Sequence, residues 1–427
     1  MTSEADLGLE RFYSEGIPGI GGKLRKSIED FVVDEISVRP PEVHEGRYTI
    51  ARVWHRNWEA NRLVRRLGSN LRIGRRSIGF AGTKDGRSEA TQLMSFGADI
   101  NAVRELRIPD VRIIEAYTSN RSISIGDLIG NRFTVTVRDI AEDIDVGRIC
   151  EEVHAKLSEI GGFPNYFGIQ RFGTVRPITH LVGRDLSKGD AEAAVMRYVG
   201  NPIGTGLEGD DVRRTLQETR DFERALREYP ARFTFERIII AHLVNDPDDY
   251  VGALRKLPRN LLMMFVHAYQ SQMFNRILSE RMRRGLPINV PIVGDLVLPL
   301  NKNGVPDHDN PIDVTEDNID KALRNAAHGK AFVSGSLYGS ESALAKGEMG
   351  EIEHRIIEEE GVLAQDFQIV GLREASSKGT RRELLAPIKE LDVAPNDDFV
   401  AFKFTLNKGC YATCLLREYM KAELTKY

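Results

Sequence analysis

The chain has 427 residues, of which 41% are hydrophobic and 29% are charged, so its composition excludes wholesale disorder and allows two or three domain cores. The longest uninterrupted apolar run, Leu261–Val266, is far shorter than the roughly 18–20 residues that a membrane-spanning helix needs. Three cysteines and an acidic N-terminus without an apolar stretch exclude a disulfide framework and a secretory signal, and predict a soluble, cytoplasmic protein.

The charge is unevenly distributed along the chain. The net charge of −4 argues against nucleic-acid binding, yet residues 47–87 contain eleven Lys or Arg and two acids. A solvated helix face usually mixes both signs, so this imbalance favours a surface that binds a polyanion. The predicted contacts with an RNA backbone are made by Arg62, Arg65, Arg66 and Arg76.

Residues before Gly173 combine alternating β-type runs with amphipathic helical patterns and Gly-rich loops. We predict strands at Phe31–Val38, Tyr48–Val53, Ile78–Ala81 and Asn131–Ile140, and helices at Asn57–Leu67 and Asp145–Leu157.

After Gly173 the pattern changes to helices, which we predict repeatedly across 185–281. The stretch 286–340 is rich in Pro, Asn, Asp and Gly, which indicates loops and short strands. A charged helix is predicted at 346–360, a strand at 397–410 and a last helix at 412–424. Both ends of the chain therefore have an α+β pattern, and the block between them is rich in helices.

Several common catalytic motifs are absent. The segment GIPGIGGKL is not a phosphate-binding loop, because Ile17 and Leu24 occupy positions that require Gly and Ser or Thr. The sequence contains neither HExxH nor GxSxG, and its histidines lack ligand spacing. We therefore predict no metal site and no serine hydrolase.

Two loops carry residues suited to chemistry on a nucleic acid. In the segment Gly79–Gln92, Lys84 and Asp85 place one carboxylate among cations at a glycine turn, although a plain Asx turn would look the same. The segment Pro164–Gly173 holds three aromatic residues, two amides and an arginine, which could also simply pack the loop on a core. Together with the basic stretch, these residues could stack on and hydrogen-bond an extruded base.

Taken together, four separated motifs resemble those of the TruD family of tRNA pseudouridine synthases. The signature loop NYFGIQRFG and the aspartate block FAGTKDGRSEATQ are the most specific of them. The four segments follow the family order and are Glu29–Glu35, Phe80–Gln92, Pro164–Gly173 and Gly409–Glu418.

The resemblance implies an α+β architecture with one discontinuous catalytic domain. Residues 1–173 and 385–427 would form this domain around a mixed, largely antiparallel sheet with flanking helices. Residues 174–384 would form the inserted, helix-rich α+β TRUD domain, which is long here, as in archaeal members.

The resemblance also implies an activity, the isomerisation of a specific uridine in tRNA, expected to be uridine 13, to pseudouridine. Asp85 matches the catalytic aspartate and would be the nucleophile, but whether it attacks the base or the sugar stays open. Phe167 would stack on the flipped base, Asn165 would hydrogen-bond it, and Arg417 would pair with Asp85. No cofactor is expected, because this reaction needs no redox chemistry.

Three further residues are candidates for substrate binding. Lys84 and Arg171 lie inside the two specific motifs. The family has a basic residue shortly before its E-D-F motif, a position for which Arg25 and Lys26 both compete. Lys26 is included among the candidates, and the choice between the two stays open.

The alternative is a non-catalytic RNA-binding module that uses the same basic face over residues 47–87. Binding alone would not need Asp85, whose charge repels phosphate, and a metal-dependent nuclease would need clustered acids that this region lacks. In either case the expected partner is tRNA, with no membrane and no obligate protein partner.

Overall fold

The computed structural model describes residues 3–203, 206–302 and 304–427. The chain divides into two compact units, each made of separate segments. The sheet unit comprises Ser14–Phe163 and Ala386–Tyr427, and the helical unit comprises Met1–Tyr13 and Pro164–Leu385.

The strands of the described residues are numbered in chain order. They are β1 (Gly21–Lys23), β2 (Phe31–Ser37), β3 (Tyr48–Arg56), β4 (Ile78–Phe80), β5 (Glu89–Phe96), β6 (Val111–Ser119), β7 (Leu128–Ile140), β8 (Gly162–Pro164), β9 (Leu296–Pro299), β10 (Ile312–Asp313), β11 (Ala331–Leu337), β12 (Thr380–Glu383), β13 (Leu385–Pro395) and β14 (Phe399–Asn407).

The α-helices are numbered in the same way, and most of them lie in the helical unit. They are α1 (Ala60–Leu71), α2 (Ile100–Arg104), α3 (Val146–Ile160), α4 (Thr179–Ser187), α5 (Ala191–Val199), α6 (Asp210–Thr219), α7 (Phe222–Glu228), α8 (Thr234–Asn245), α9 (Tyr250–Arg255), α10 (Arg259–Arg283), α11 (Ile319–Ala327), α12 (Gly347–Glu360) and α13 (Ala412–Met420).

A ten-stranded sheet organises the sheet unit, with the main order β6-β3-β5-β2-β7-β14-β13-β8. Strands β1 and β4 extend it by pairing with β7 and β5. Strands β2 and β5 pair in parallel, whereas β2, β3, β5, β7 and β14 make antiparallel pairs with their other neighbours. The fold class predicted from the sequence, α+β with a mixed, largely antiparallel sheet, is confirmed.

Helix α1 covers one part of this sheet because its apolar residues recur at helical spacing. Leu63, Val64 and Leu67 are buried in a core that also contains Val53 of β3 and Phe96 of β5. The opposite face of α1 stays polar and exposed. The helix thus presents its arginines to solvent from a fixed position on the sheet.

Helix α10 is the centre of the helical unit. It is 25 residues long and buried on most sides, and it packs extensively on α4. At Gly183 of α4 a Cβ atom would lie 2.0 Å from the carbonyl oxygen of Phe265, so glycine is what lets the two helices approach. A four-stranded sheet, β10-β9-β11-β12, completes this unit.

The first unit boundary differs from the predicted domain boundary, because the change comes after Phe163 rather than after Gly173. The signature loop belongs to the helical unit, where the Asn165 N–H donates to the carbonyl oxygen of Leu384 at 2.8 Å. Residues up to Tyr13 also belong to the helical unit rather than to the sheet unit.

Candidate active site

The loop that carries Asp85 joins β4 to β5, which are antiparallel neighbours in the sheet. The backbone carbonyl of Asp85 accepts a hydrogen bond of 2.7 Å from the Ser88 hydroxyl, which closes the turn. The Asp85 side chain is 52% exposed. The fold therefore presents one carboxylate at the end of a strand, where a reactant from solvent can reach it.

Lys84, the residue before Asp85, points into the interior and not to solvent. Its ammonium group forms an ion pair with Glu35, and the two side chains are only 5% and 0% exposed. The Glu35 carboxylate also accepts hydrogen bonds from the Leu93 N–H at 3.3 Å and the Ser37 hydroxyl at 2.7 Å. A Cβ atom at Gly82 would lie 3.3 Å from Lys84 Nζ, so glycine leaves room for the pair. This buried pair ties the Asp85 loop to β2 and β5.

Arg25 is the cation that contacts the Asp85 carboxylate. Its Nη2 donates to Asp85 Oδ2 at 2.5 Å, and its guanidinium group lies 4.0 Å from the ring centroid of Phe31. The residue is 9% exposed and has a φ of 53°. Burial lowers the pKa of Arg25, while the Asp85 charge opposes that shift. Stacking on Phe31 and burial therefore hold the guanidinium in place independently of its contact with the Asp85 carboxylate.

The cation that pairs with Asp85 in this structure is Arg25, and the expected pairing of Asp85 with Arg417 stays a prediction. Arg417 is 3% exposed on α13, a helix that packs on α3 and β1, and so belongs to the interior of the sheet unit. Lys26 is half-exposed and pairs with Asp139 at 2.6 Å. Of the two residues that competed for the position before the E-D-F motif, Arg25 is the one that contacts Asp85.

A buried histidine lies near the same loop. His55 on β3 is 1% exposed, and neither of its ring nitrogens has a hydrogen-bond partner within the described ranges. Burial and the Lys84 charge lower the pKa of His55 to about 4. This imidazole is therefore neutral at pH 7 and adds no charge to the Glu35–Lys84 pair.

The predicted RNA-binding arginines occupy the exposed face of α1 and the turn after it. Arg62 lies 4.9 Å from the ring centroid of Trp58, while Arg65 and Arg66 are exposed one turn further along. Arg76 is exposed in the turn before β4. In the part of the chain that the structure describes, none of the four guanidinium groups lies within 4.0 Å of a carboxylate, although the Arg62 backbone N–H donates to Glu59 at 2.9 Å. Their charges are available to a polyanion.

The signature loop in the helical unit is held firmly from its own side. Asn275 of α10 accepts from the Phe167 N–H at 2.8 Å and donates to the Phe167 carbonyl at 3.0 Å. The Phe167 ring is 7% exposed, lies 4.1 Å from the guanidinium of Arg382 and makes an edge contact with Phe274. Much of this ring is therefore used in packing.

The Asn165 side chain makes its hydrogen bonds with β12. Its Oδ1 accepts from Arg382 at 2.6 Å, and its Nδ2 donates to the carbonyl oxygen of Glu383 at 2.9 Å. Arg171 donates to the Ser271 hydroxyl at 3.1 Å, and its guanidinium lies 5.7 Å from the Phe167 ring centroid. Asn165, Phe167 and Arg171 are thus neighbours within one loop.

The structure gathers the predicted residues in two places. The sheet unit brings Asp85 and Lys84 together, and the helical unit brings Asn165, Phe167 and Arg171 together. Four residues in these two places were not predicted from the sequence, namely Glu35, His55, Asn275 and Arg382. Of these four, Glu35 alone lies within one of the four motifs that resemble the family.

No helix within the described ranges has the length and apolar character to cross a bilayer.

Comparison with known proteins agrees with this arrangement of motifs. The family model described as tRNA pseudouridine synthase D (TruD) matches residues 6–419. A protein of Methanococcoides burtonii named "Probable tRNA pseudouridine synthase D" is 42% identical, and the alignment covers 99% of this chain and 98% of that protein. A Pyrococcus abyssi protein with the same name is 37% identical over 96% of this chain and 98% of its own length.

A solved structure is also similar over nearly the whole chain. The crystal structure named for tRNA pseudouridine synthase D of Methanosarcina mazei has a TM-score of 0.84 and 37% sequence identity to this protein. The match covers 99% of this chain and 98% of that one. The chain therefore belongs to the tRNA pseudouridine synthase D (TruD) family.

Proposed function

We propose that this protein isomerises uridine 13 of tRNA to pseudouridine, with Asp85 as the nucleophile. The observation that carries the proposal is the accessible Asp85 carboxylate, held by a buried arginine on a strand-end loop, in a chain that belongs to this family. A carboxylate that is positioned but reachable suits covalent catalysis.

The reaction balances without an external reactant. The bond between N1 of the uracil and C1′ of the ribose breaks, the base turns, and a bond between C5 and C1′ forms. The proton on C5 leaves to solvent and N1 gains one, so the product has the mass of the substrate. No electron is gained or lost overall, and a redox cofactor has no task in this scheme.

The neighbours of Asp85 support the chemistry by fixing its position. Arg25 holds one carboxylate oxygen, while the buried Lys84–Glu35 pair anchors the residue before it. An ion pair that is shielded from water keeps its geometry better than an exposed one. Because Lys84 is buried against Glu35, we assign it a positioning role in preference to direct substrate contact.

Binding of the target base would use the signature loop. Chemistry at C1′ and C5 requires the uridine to leave the base stack, and an aromatic ring can stabilise the extruded base. Phe167, with Asn165 and Arg171 beside it, is our candidate for that contact. Because most of the Phe167 ring is already buried, only its remaining surface could serve the base.

Affinity for the rest of the tRNA would come from the α1 face. Arg62, Arg65, Arg66 and Arg76 are exposed arginines whose guanidinium groups pair with no carboxylate among the described residues, so these groups can bind phosphate. The same face would serve the alternative function, a non-catalytic RNA-binding module. The two candidates differ in whether the bound tRNA is altered.

An isotope-release assay separates them. A tRNA transcript labelled with tritium at C5 of its uridines is incubated with the protein, and release of tritium to solvent is followed with time. We expect one equivalent per tRNA, and none from a matched transcript with cytidine at position 13. Binding of the first transcript without tritium release would contradict the enzymatic proposal and favour the binding module. Release that persists with cytidine at position 13 would contradict only the choice of position.

A further inference from the structure

The helical unit contains a cavity between α4 and α10 that the proposed reaction does not use. Its volume is about 520 Å³, which is large enough for a nucleoside. Its polar wall is formed by residues of three helices, namely His180, Arg184, Tyr269, Gln272, Arg276 and Glu360. Residues 180 and 184, like 269, 272 and 276, recur at helical spacing and so face the cavity from one side of each helix.

Two side chains in this wall have no hydrogen-bond partner among the described residues. His180 is 4% exposed, and neither of its ring nitrogens hydrogen-bonds another residue of the described ranges. The Gln272 carboxamide also has no partner there, and its Oε1 is shielded from solvent. A buried polar group left without a hydrogen bond costs about 1–3 kcal/mol. An imidazole and an amide together at one cavity therefore indicate a ligand that can hydrogen-bond both.

Three other polar side chains of the wall are already hydrogen-bonded to one another. The Tyr269 hydroxyl donates to Glu360 at 3.0 Å, and the other oxygen of that carboxylate accepts from Arg276. Asp6, which also lines the cavity, accepts from the N–H and hydroxyl of Ser3. Both carboxylates at the cavity are thus hydrogen-bonded and are poorly placed to attract a cation.

Arg184 supplies the remaining charge. It lies one turn after His180 on α4, its side chain is 37% exposed, and the carboxylate nearest to it, that of Asp185, is 3.8 Å away. An arginine in this position can bind an anionic group that remains in solvent while the rest of the ligand enters the cavity.

These features select a class of ligand. A glutamine amide offers a donor and an acceptor side by side, which is the pattern that pairs with the edge of a nucleobase. A histidine beside it adds a further hydrogen bond, and Arg184 matches a phosphate. We propose that this cavity binds a second nucleotide of the tRNA, extruded from the stack and distinct from the target uridine. This inference rests on the proposed function for the identity of the RNA.

The test uses two substitutions that keep side-chain size while removing the hydrogen bonds, His180→Phe and Gln272→Leu. The matched control is Gln368→Leu, since Gln368 is an exposed glutamine of the same unit. The dissociation constant for unmodified tRNA is measured at one fixed salt concentration. We expect each cavity variant to bind about 3- to 10-fold more weakly and the control to be unchanged. The kcat at saturating tRNA should be unchanged, because these residues do not touch the target uridine.

Ultraviolet crosslinking of the wild-type complex gives an independent readout. Peptides 177–184 or 269–276 should carry a crosslinked nucleotide other than position 13. Wild-type affinity in the folded variants would overturn the inference. If the variants do not fold, the inference is tested by the crosslinked peptides and by the affinity of Arg184→Gln for tRNA. Crosslinks confined to other peptides, together with an unchanged affinity of Arg184→Gln, would overturn the inference. Absence of tritium release by the wild-type protein would instead count against the proposed function, and the binding data would still test the cavity.

Discussion

The two most specific motifs of this chain are built in different ways. The loop of Asp85, in the sheet unit, presents a half-exposed carboxylate that charged partners hold in place, with Arg25 on one side and the Lys84–Glu35 pair beneath. The loop of Asn165 and Phe167, in the helical unit, is buried and hydrogen-bonded along its length. The first loop is organised by electrostatics, and the second is organised by packing.

This difference teaches which substitutions can separate function from folding. A side chain that is exposed and held by a single ion pair can change without disturbing a core, so its loss reports on chemistry. A side chain that contacts three neighbours in the interior cannot change without a cost in stability. Effects at Asp85 should therefore appear in catalysis alone, and effects at Phe167 should appear in both measurements.

The largest expected effect is that of Asp85→Asn. We expect the isomerisation rate to fall by at least about 10³-fold, because the proposed nucleophile is lost, while tRNA affinity stays equal or rises slightly. Tritium release at saturating tRNA and a separate binding measurement check this. The free energy of unfolding should change by less than about 1 kcal/mol, since the carboxylate is half-exposed. Appreciable turnover by this variant would remove the assignment of Asp85.

The next effect tests the buried pair beneath the loop. Glu35→Gln leaves the Lys84 ammonium buried without its anionic partner, so we expect a loss of about 3–5 kcal/mol in the free energy of unfolding. Denaturant titration measures it. The matched control is Glu115→Gln, which removes an exposed ion pair with Arg39 and should cost less than about 1 kcal/mol. Equal costs for the two variants would show that the buried pair does not anchor the loop.

Phe167→Ala should sharpen the comparison, because it should damage both folding and turnover. We expect about 3–5 kcal/mol of lost stability from the vacated contacts with Phe274 and Arg382. Because stacking on the base would also be lost, the activation free energy per folded molecule should rise by about 1–3 kcal/mol. Phe167→Tyr keeps the ring and should be tolerated. Wild-type turnover per folded molecule in Phe167→Ala would assign this ring to the core alone.

Arg25→Met removes the cation that orients Asp85. We expect kcat/KM to fall about 10- to 100-fold, because a misplaced nucleophile reacts slowly, and Arg25→Lys should recover part of it. Lys26→Met is the control, since Lys26 pairs with Asp139 instead. If Lys26→Met proved as costly as Arg25→Met, the contact between Arg25 and Asp85 would not be the cause.

The smallest effects are expected on the face of α1. Changing Arg62, Arg65, Arg66 or Arg76 singly to Ala should reduce the slope of log affinity against log salt by about 0.7–0.9 each, because one phosphate contact is lost. Binding titrations at several salt concentrations measure the slope, with Arg39→Ala as a control. Stability should be unaffected. Slopes that match the wild type in all four variants would show that the face is merely solvated.

Much of the fold could be predicted from local patterns. The alternation of residues 131–140 lies within β7, and the helical spacing of Leu63, Val64 and Leu67 lies within α1. Strands β5, β6 and β13 were missed, as was α11 within the stretch expected to be loops. In β5, residues 92–96 are all buried, so the alternation that marks a half-solvated strand is absent. Strands β5 and β6 both pair with β3, which lies in a separate segment of the chain, and such pairing is not visible in a short window.

Only site residues that lie within a single motif could be predicted from the sequence. Asp85 and Phe167 became candidates because each lies in a motif that is specific to the family. Arg25 could not be chosen over Lys26, since the contact with Asp85 depends on a left-handed residue and on stacking over Phe31. The role of Arg382 was invisible because it lies 217 residues after Asn165, its hydrogen-bond partner.

The interleaving of the two units has a consequence for synthesis on the ribosome. Within the helical unit, Asn275 binds the carbonyl oxygen of Leu7, a residue 268 positions earlier in the chain. Within the sheet unit, β7 gains its partner β14 only when Asn407 has been made. Neither unit can complete its contacts until most of the chain has emerged, and one edge of β7 stays open meanwhile. An unpaired strand edge can pair with a wrong strand, so the sheet unit is exposed to mispairing until β14 has been made.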